Sequence, residues 1–285
     1  MRVAIIGTGN IGCDLLAKVV KSRSLTCTHF IGRNAASPAR DFAGGLGVRM
    51  QCGGLDALVD NLQDFDLLFD ASSAVSHSEN VAALDGAGKR IINLTPAPNG
   101  DWCVPAVNLP TIRDSSCINM VTCGGQASIP IAYALARSGI DMNYIEVVST
   151  IAAKSAGPAT RNNISEYIET TQAAVRTLTG ANTAKAIINI NPAEPPIEMQ
   201  TTVYAVKQEL DIERVRREVD EIAQNVRAYA PGFNVVMSPR PSLERLVTIV
   251  RVTGSGDFLT SYAGNLDIIT SAAVHAAEYL AAASA

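Results

Sequence analysis

Several things are scarce in this chain of 285 residues, and each scarcity argues against a class of function. Basic charge is not in surplus: 23 Lys and Arg stand against 27 Asp and Glu, for a formal net charge of −4. A protein that holds nucleic acid by bulk positive charge is therefore disfavoured, although a local patch is not. No apolar run approaches the roughly 18 residues that mark a membrane span. The opening run Met1-Arg2-Val3-Ala4-Ile5-Ile6 meets Gly7 too early for a secretory hydrophobic region. Cys13, Cys27, Cys52, Cys103, Cys117 and Cys123 form no C-x-x-C pair and do not cluster with the three histidines. That argues against a metal site or a disulfide framework and for a reduced, cytoplasmic protein. Low-complexity linkers and internal repeats are also missing. What is present, 47% hydrophobic residues against 18% charged, suffices for a large core, and the length suits two closely joined domains.

Hydrophobic periodicity divides the chain. In the first half, apolar runs at Arg2–Ile6, Thr26–Ile31, Asp66–Phe69, Arg90–Leu94 and Cys117–Val121 alternate with helical patterns at Ile11–Val20 and Ser76–Ala87. This predicts a parallel sheet covered on both faces. Pro96, Pro98, Gly100 and Pro105 mark an irregular connection rather than a new element. In the second half, β-rich segments at Asn143–Ala153, Ala184–Ile190, Met199–Val206 and Arg245–Val252 enclose helical patterns at Arg161–Leu178 and Asp211–Ala228. A mixed or antiparallel sheet is expected there. The alanine-rich end, Asn265–Ala283, reads as a helix. The expected architecture is α/β: a Rossmann-type parallel-sheet domain over residues 1–121, to which a C-terminal helix within 262–285 is expected to return, and an α+β domain over 122–261.

Gly7-Thr8-Gly9-Asn10-Ile11-Gly12 fits G-x-G-x-x-G between a strand and a helix. Gly7 permits the tight turn, Gly9 lets the backbone approach a pyrophosphate, and Gly12 permits close helix–strand packing at a helix N-terminus that favours anions. A glycine turn without a ligand is the alternative. After the second strand, where NAD-binding proteins place an acid, the sequence reads Ile31-Gly32-Arg33-Asn34. Arg33 suits the 2′-phosphate of NADP, unless it is simply a solvated loop residue. Ser72 and Ser73 follow another strand and are candidate phosphate or backbone contacts.

Val121-Thr122-Cys123-Gly124-Gly125 sets a cysteine between a strand and a helix, with Pro130 assigned to the helix's first turn. A helix N-terminus stabilises a thiolate, so the Cys123 pKa is expected to fall toward neutrality, and nearby backbone N–H groups are candidate oxyanion donors. A buried structural cysteine is the competing reading. His77, assigned to a loop after the Asp66–Phe69 strand, is a candidate base for Cys123 or a mere capping histidine. Ser155–Asn163 is a small polar helix-entry loop, and Glu194 sits in a proline-rich connection.

Read together, Val3–Gly12, Leu94–Pro96, Asn119–Pro130, Lys154–Arg161, Asn191–Pro196, Thr202–Tyr204 and Tyr262–Ile268 resemble the acylating acetaldehyde dehydrogenases that work beside 4-hydroxy-2-oxovalerate aldolases in aromatic and steroid catabolism. The resemblance implies oxidation of a short aldehyde to acyl-CoA, or the reverse, with NAD or NADP, coenzyme A as co-substrate and Cys123 as nucleophile. It implies dinucleotide contacts from Thr8–Ile11, from Ser155, Ala156, Gly157, Pro158, Ala159, Thr160, Arg161, Asn162 and Asn163, and from Asn265. It also implies a substrate pocket of Asn163, Ile164, Ile188 and Ile190, a homo-oligomer and an aldolase-type partner. Three departures stand out. Arg33-Asn34 replaces the acid after the second strand. Thr201 occupies the place of an aspartate proposed to assist the nucleophile, and a hydroxyl can hydrogen-bond a thiol without acting as a carboxylate base. Phe233–Leu246 is shorter than its counterpart. Two rival readings stay open: a semialdehyde dehydrogenase with another acyl acceptor, and a nucleotide-binding partner subunit with weakened chemistry.

Overall fold

The computed structural model describes residues 1–206 and 211–283, with the backbone alone at Pro158 and Ala159. Residues 207–210 of the expected second domain and residues 284–285 beyond the C-terminal helix lie outside the described residues.

Val3–Ile6 is apolar and buried throughout, the pattern of a strand covered on both faces. It forms β1 (Arg2–Ile6), followed by α1 (Asn10–Lys21), β2 (Thr26–Gly32), α2 (Ala39–Gly45), β3 (Met50–Cys52), α3 (Leu55–Val59), β4 (Leu67–Asp70), α4 (Ala74–Leu84), β5 (Arg90–Asn93), β6 (Asp101–Trp102), α5 (Pro105–Asn108) and β7 (Cys117–Asn119). These seven strands make one parallel sheet in the order β3-β2-β1-β4-β5-β7-β6. The order reverses between β1 and β4, and their carboxyl ends open the crevice where such sheets bind ligands. This is the Rossmann-like arrangement expected. The stretch holding Pro96, Pro98, Gly100 and Pro105 is not wholly irregular, because β6 pairs there with β7.

The chain continues through α6 (Cys123–Arg137), β8 (Tyr144–Ala152), α7 (Pro158–Asn162), α8 (Ile164–Thr179), β9 (Thr183–Asn191), β10 (Met199–Val206), α9 (Ile212–Arg227), β11 (Phe233–Ser242), β12 (Arg245–Val252) and α10 (Gly264–Ala283). The second sheet runs β11-β12-β10-β8-β9, antiparallel except for the parallel pair β8–β9. The single helix expected over Arg161–Leu178 is two, divided at Asn163. Sequence pattern missed β11, because Pro239 and Pro241 interrupt it. Both are tolerated on an edge strand whose register against β12 shifts twice. Pro130 also differs from expectation: α6 begins at Cys123, so the ring sits inside the helix and removes one backbone N–H donor there.

Alternation along β8, β10 and β12 buries Val147, Ser149, Thr201, Val203, Thr248 and Val250 beneath α6, while α8 covers β9 and α9 covers β11. The opposite face carries half-buried Val148, Tyr204, Val247 and Ile249. One continuous apolar cluster runs from Val3 and Phe30 through Ile129 and Val147 to Leu280, so both sheets share a core. The helix α10 returns to pack on α1. Lys18, its side chain 9% exposed, ties these helices together with ion pairs to Asp14 at 3.1 Å, Asp257 at 2.5 Å and Asp267 at 2.7 Å. Among the described residues no helix is long and apolar enough to cross a membrane.

Candidate active site

The parallel strands end in a row, with Ile6 beside Ile31 and Asp70, Asp70 beside Asn93, and Asn93 beside Asn119. The three polar members, fully buried, each fold their side chain forward onto the backbone N–H two residues on. Asp70 accepts from Ser72 at 3.0 Å, Asn93 from Thr95 at 2.8 Å and Asn119 from Val121 at 2.8 Å. These Asx turns fix the loops at one end of the sheet. Together with the glycine loop, Gly32–Asn34 and Gly53–Leu55 they enclose a cavity of about 590 Å³.

Gly7, Thr8, Gly9, Asn10, Ile11, Arg33, Ser72, Cys123, Ser155, Gly157, Thr160, Asn163 and Asn265 all line this cavity. Gly12 does not. Its place is dictated by packing, since a Cβ there would lie 1.8 Å from the Gly7 carbonyl oxygen. Arg33 and Glu79 are the charged residues on the wall, and the Arg33 guanidinium has no hydrogen-bond or ion-pair partner among the described residues. Asn265, at the start of α10, lines the same cavity and holds a buried Oδ1 without a hydrogen-bond partner. Such an orphan acceptor fits an amide donor on a ligand. The glycine loop, the helix N-terminus and this acceptor together fit a nicotinamide dinucleotide.

Other expected contacts stand apart from the cavity wall. Arg161 donates to the carbonyls of Ala156 at 2.9 Å and Ala153 at 2.7 Å, bracing the loop rather than facing the cavity. Ala156 is buried behind it, and Asn162 ends α7 without lining the cavity. The side chains of Pro158 and Ala159 lie outside what is described. Ile188 and Ile190 pack against the core from β9, and Ile164 is exposed, so of the expected substrate pocket only Asn163 reaches the wall. Glu194 pairs with Lys154 on the surface at 2.8 Å.

At the other end lies the thiol. Val121 takes a left-handed φ of 61°, rare for a β-branched residue and a position where strain is stored. Thr122 then caps α6, its hydroxyl accepting from the Gly125 N–H at 2.9 Å. Cys123 is the first residue of the helix, 9% exposed and open to the cavity. Its pKa is raised, not lowered as expected. Burial outweighs the opposing pull of the Tyr167 hydroxyl and of the backbone N–H groups of Gly124 and Cys123. The three backbone N–H groups that follow Cys123 are already engaged: Gly124 N–H donates to the Tyr167 oxygen at 2.9 Å, Gly125 N–H to the Thr122 hydroxyl, and Gln126 N–H to the Thr122 carbonyl.

Tyr167, from the first turn of α8, holds its hydroxyl 3.5 Å from Cys123 Sγ. Gly124 permits that approach, because a Cβ there would meet the phenol oxygen at 2.2 Å and Ser149 Oγ at 2.8 Å. Thr201 is paired with Ser149 at 2.9 Å rather than with the thiol. His77 is not a loop residue and does not line the cavity. It lies fully buried in α4 with Nδ1 2.9 Å from Asp70 Oδ2, so it is no base for Cys123. Sequence reading missed Tyr167 and Ser149, which carry no motif of their own. The strand-ending Asx residues were a usable signal that went unread.

The family model described as prokaryotic acetaldehyde dehydrogenase, dimerisation, matches residues 123–260. An acetaldehyde dehydrogenase of Pectobacterium atrosepticum is 48% identical over 282 residues, covering 98% of this chain and 95% of that protein. This chain belongs to the acetaldehyde dehydrogenase family. An acetaldehyde dehydrogenase of Burkholderia thailandensis shares 47% identity, over 98% of this chain and 94% of its own length. One from Spirochaeta aurantia shares 45%, over the whole of this chain and 96% of its own. The family's dimerisation region thus begins at the residue that opens α6 and takes in the whole second sheet.

Proposed function

We propose that this chain oxidises a short aldehyde to acyl-CoA through a thioester on Cys123. One observation carries the reading: Cys123, at the start of α6, and the glycine loop after β1 line one and the same cavity. The thiol first loses its proton to solvent. The thiolate sulfur then bonds to the aldehyde carbon, whose C=O pair moves to oxygen. Collapse of that alkoxide expels the carbon-bound hydrogen as hydride and leaves a thioester. A nicotinamide dinucleotide, when bound, is the hydride acceptor. The coenzyme A thiolate next attacks the thioester carbon, the carbon–Sγ bond breaks, and Cys123 is regenerated with the acyl group retained at thioester energy. Gly7 and Thr8–Ile11 would cradle the pyrophosphate, Asn265 the nicotinamide end, and Arg33 a 2′-phosphate, which favours NADP over NAD. Ser155, Gly157, Thr160 and Asn163 would form the wall between dinucleotide and aldehyde.

In this reading, residues 1–121 with the C-terminal helix form the dinucleotide-binding unit, and residues 122–261 the catalytic and dimer-forming unit. The half-buried sheet face bearing Val148, Tyr204, Val247 and Ile249 suits a second copy, in keeping with the dimerisation description of the matching family model. An aldolase of the 4-hydroxy-2-oxovalerate type would supply the aldehyde. Steady-state assays with acetaldehyde test the function: reduction of the dinucleotide should require coenzyme A for sustained turnover. Turnover that ignores coenzyme A but responds to phosphate would favour a semialdehyde dehydrogenase instead.

A further inference from the structure

The proton positions around Cys123 can be assigned by elimination. Thr171 donates its hydroxyl proton to the Tyr167 carbonyl at 2.7 Å. The 2.7 Å contact between Thr122 and Thr171 must then use the proton of Thr122. Thr122 meanwhile accepts from Gly125 N–H, and Gly124 N–H donates to the phenol oxygen. Neither threonine has a proton left for Tyr167, so the phenol keeps its own proton to donate, and Thr122, whose hydroxyl also bears on the phenol, retains one lone pair as an acceptor beside the thiol. Cys123 Sγ lies 3.5 Å from the phenol oxygen and, once ionised, is the stronger of the two acceptors because it carries the charge.

We propose that Tyr167 is a second catalytic residue, its phenol O–H donating a hydrogen bond that stabilises the Cys123 thiolate where no carboxylate stands. The inference rests on Cys123 being the nucleophile. Tyr167 is the one titratable side chain among the described residues that acts on this thiol. The neighbouring strands contribute Ser149 from β8 and Thr201 from β10, which bond to each other. The phenol keeps its proton throughout. Burial, and then the charge of a Cys123 thiolate, push its ionisation well above the ordinary range, so it serves as a donor and never as the base. The thiol proton leaves to solvent. Formation of the carbon–sulfur bond removes the negative charge of the sulfur and so weakens the hydrogen bond it accepts, and release of acyl-CoA restores both.

The test is the pH dependence of Cys123 alkylation by iodoacetamide, read by peptide mass spectrometry, in the wild-type chain and in Tyr167→Phe. Loss of the donor should move the titration midpoint upward, slowing alkylation at a fixed pH below it by roughly tenfold to a hundredfold. The rate limit reached at high pH should stay the same. Turnover should fall by a similar factor with dinucleotide affinity preserved, whereas a merely structural role would not move the midpoint. An unchanged midpoint in a folded Tyr167→Phe chain overturns the proposal. Should that variant fail to fold, the wild-type chain labelled with ¹³Cζ-tyrosine decides. One tyrosine signal should shift as the thiol titrates and lose that shift in Cys123→Ala, and a spectrum in which none does so overturns it. Turnover by Cys123→Ala would instead refute the nucleophile, a separate reading from the phenol contact that alkylation reports.

Discussion

At the dinucleotide end of the cavity, a few consecutive residues from the end of β1 into α1 form one stretch of the wall, joined by Arg33 after β2 and Asn265 from α10. At the thiol end, Cys123, Ser149, Tyr167 and Thr201 arrive from α6, β8, α8 and β10. The first end is set by backbone, and Gly12 serves it by leaving room for the Gly7 carbonyl. The second is set by side-chain hydroxyls meeting in a buried space, with Gly124 leaving room for a phenol. A binding surface made of backbone can be written as a short motif, whereas a reactive microenvironment has to be assembled by the fold. The two ends should therefore fail separately.

Cys123→Ala is the largest perturbation. Turnover should drop by roughly a thousandfold or more, because removal of a nucleophile costs orders of magnitude, while a fluorescence titration should find dinucleotide affinity nearly unchanged. Retention of about a tenth of the wild-type rate would refute covalent catalysis at this residue.

Arg33→Ala acts on the opposite end. A charge-assisted contact to a 2′-phosphate contributes about 1.5–3 kcal/mol, so NADP affinity should fall roughly 10- to 150-fold while NAD affinity holds. Titrations of both cofactors at low and moderate salt check this. Equal affinities in the wild-type chain would remove Arg33 from the cofactor site and leave the glycine loop in place.

Paired glycine substitutions sharpen the contrast. In Gly12→Ala and Gly124→Ala the added methyl meets an atom far inside contact distance, and overpacking of this kind costs about 1–3 kcal/mol. Gly12→Ala should weaken dinucleotide binding and leave Cys123 alkylation at its wild-type rate. Gly124→Ala should do the reverse. Equal loss of both in either variant would show that the two ends are mechanically one.

The smallest effect belongs to Thr201→Val. It strands the Ser149 hydroxyl and should lower stability by about 0.5–1.5 kcal/mol in urea denaturation. The alkylation midpoint of Cys123 should not move. In both chains burial disfavours the thiolate, so the midpoint lies above that of a free thiol and alkylation should keep climbing as pH rises through the alkaline range. A plateau near neutrality would contradict the burial of this thiol.

The same contrast explains what was legible in the sequence. Arg2–Ile6 and Gly7–Gly12 declare a strand, a turn and a helix within a dozen residues, the helix Ile212–Arg227 follows from its apolar periodicity, and Gly264–Ala283 from its run of alanines. Met199–Val206 and Arg245–Val252 fall where alternation places them. Phe233–Ser242 escaped, because prolines on an edge strand mimic a loop. Cys123 could be located from its context, but its raised pKa could not, because helix position is local and burial is a property of the whole fold. His77 was misread for a related reason: its partner Asp70 lies at a strand end, and only the packed sheet shows the pair to be buried. Tyr167 sits in an ordinary amphipathic helix, and nothing in one sequence says that this face meets α6.

The most direct test of a separable thiol end is to mix the protein with acetaldehyde and oxidised dinucleotide in the absence of coenzyme A, quench with acid and map the peptides by mass spectrometry. One acetyl group per chain should appear on the peptide that contains Cys123, and adding coenzyme A before the quench should discharge it. An acetyl group on another residue, or none at all in a preparation that sustains coenzyme A-dependent turnover, would contradict the account.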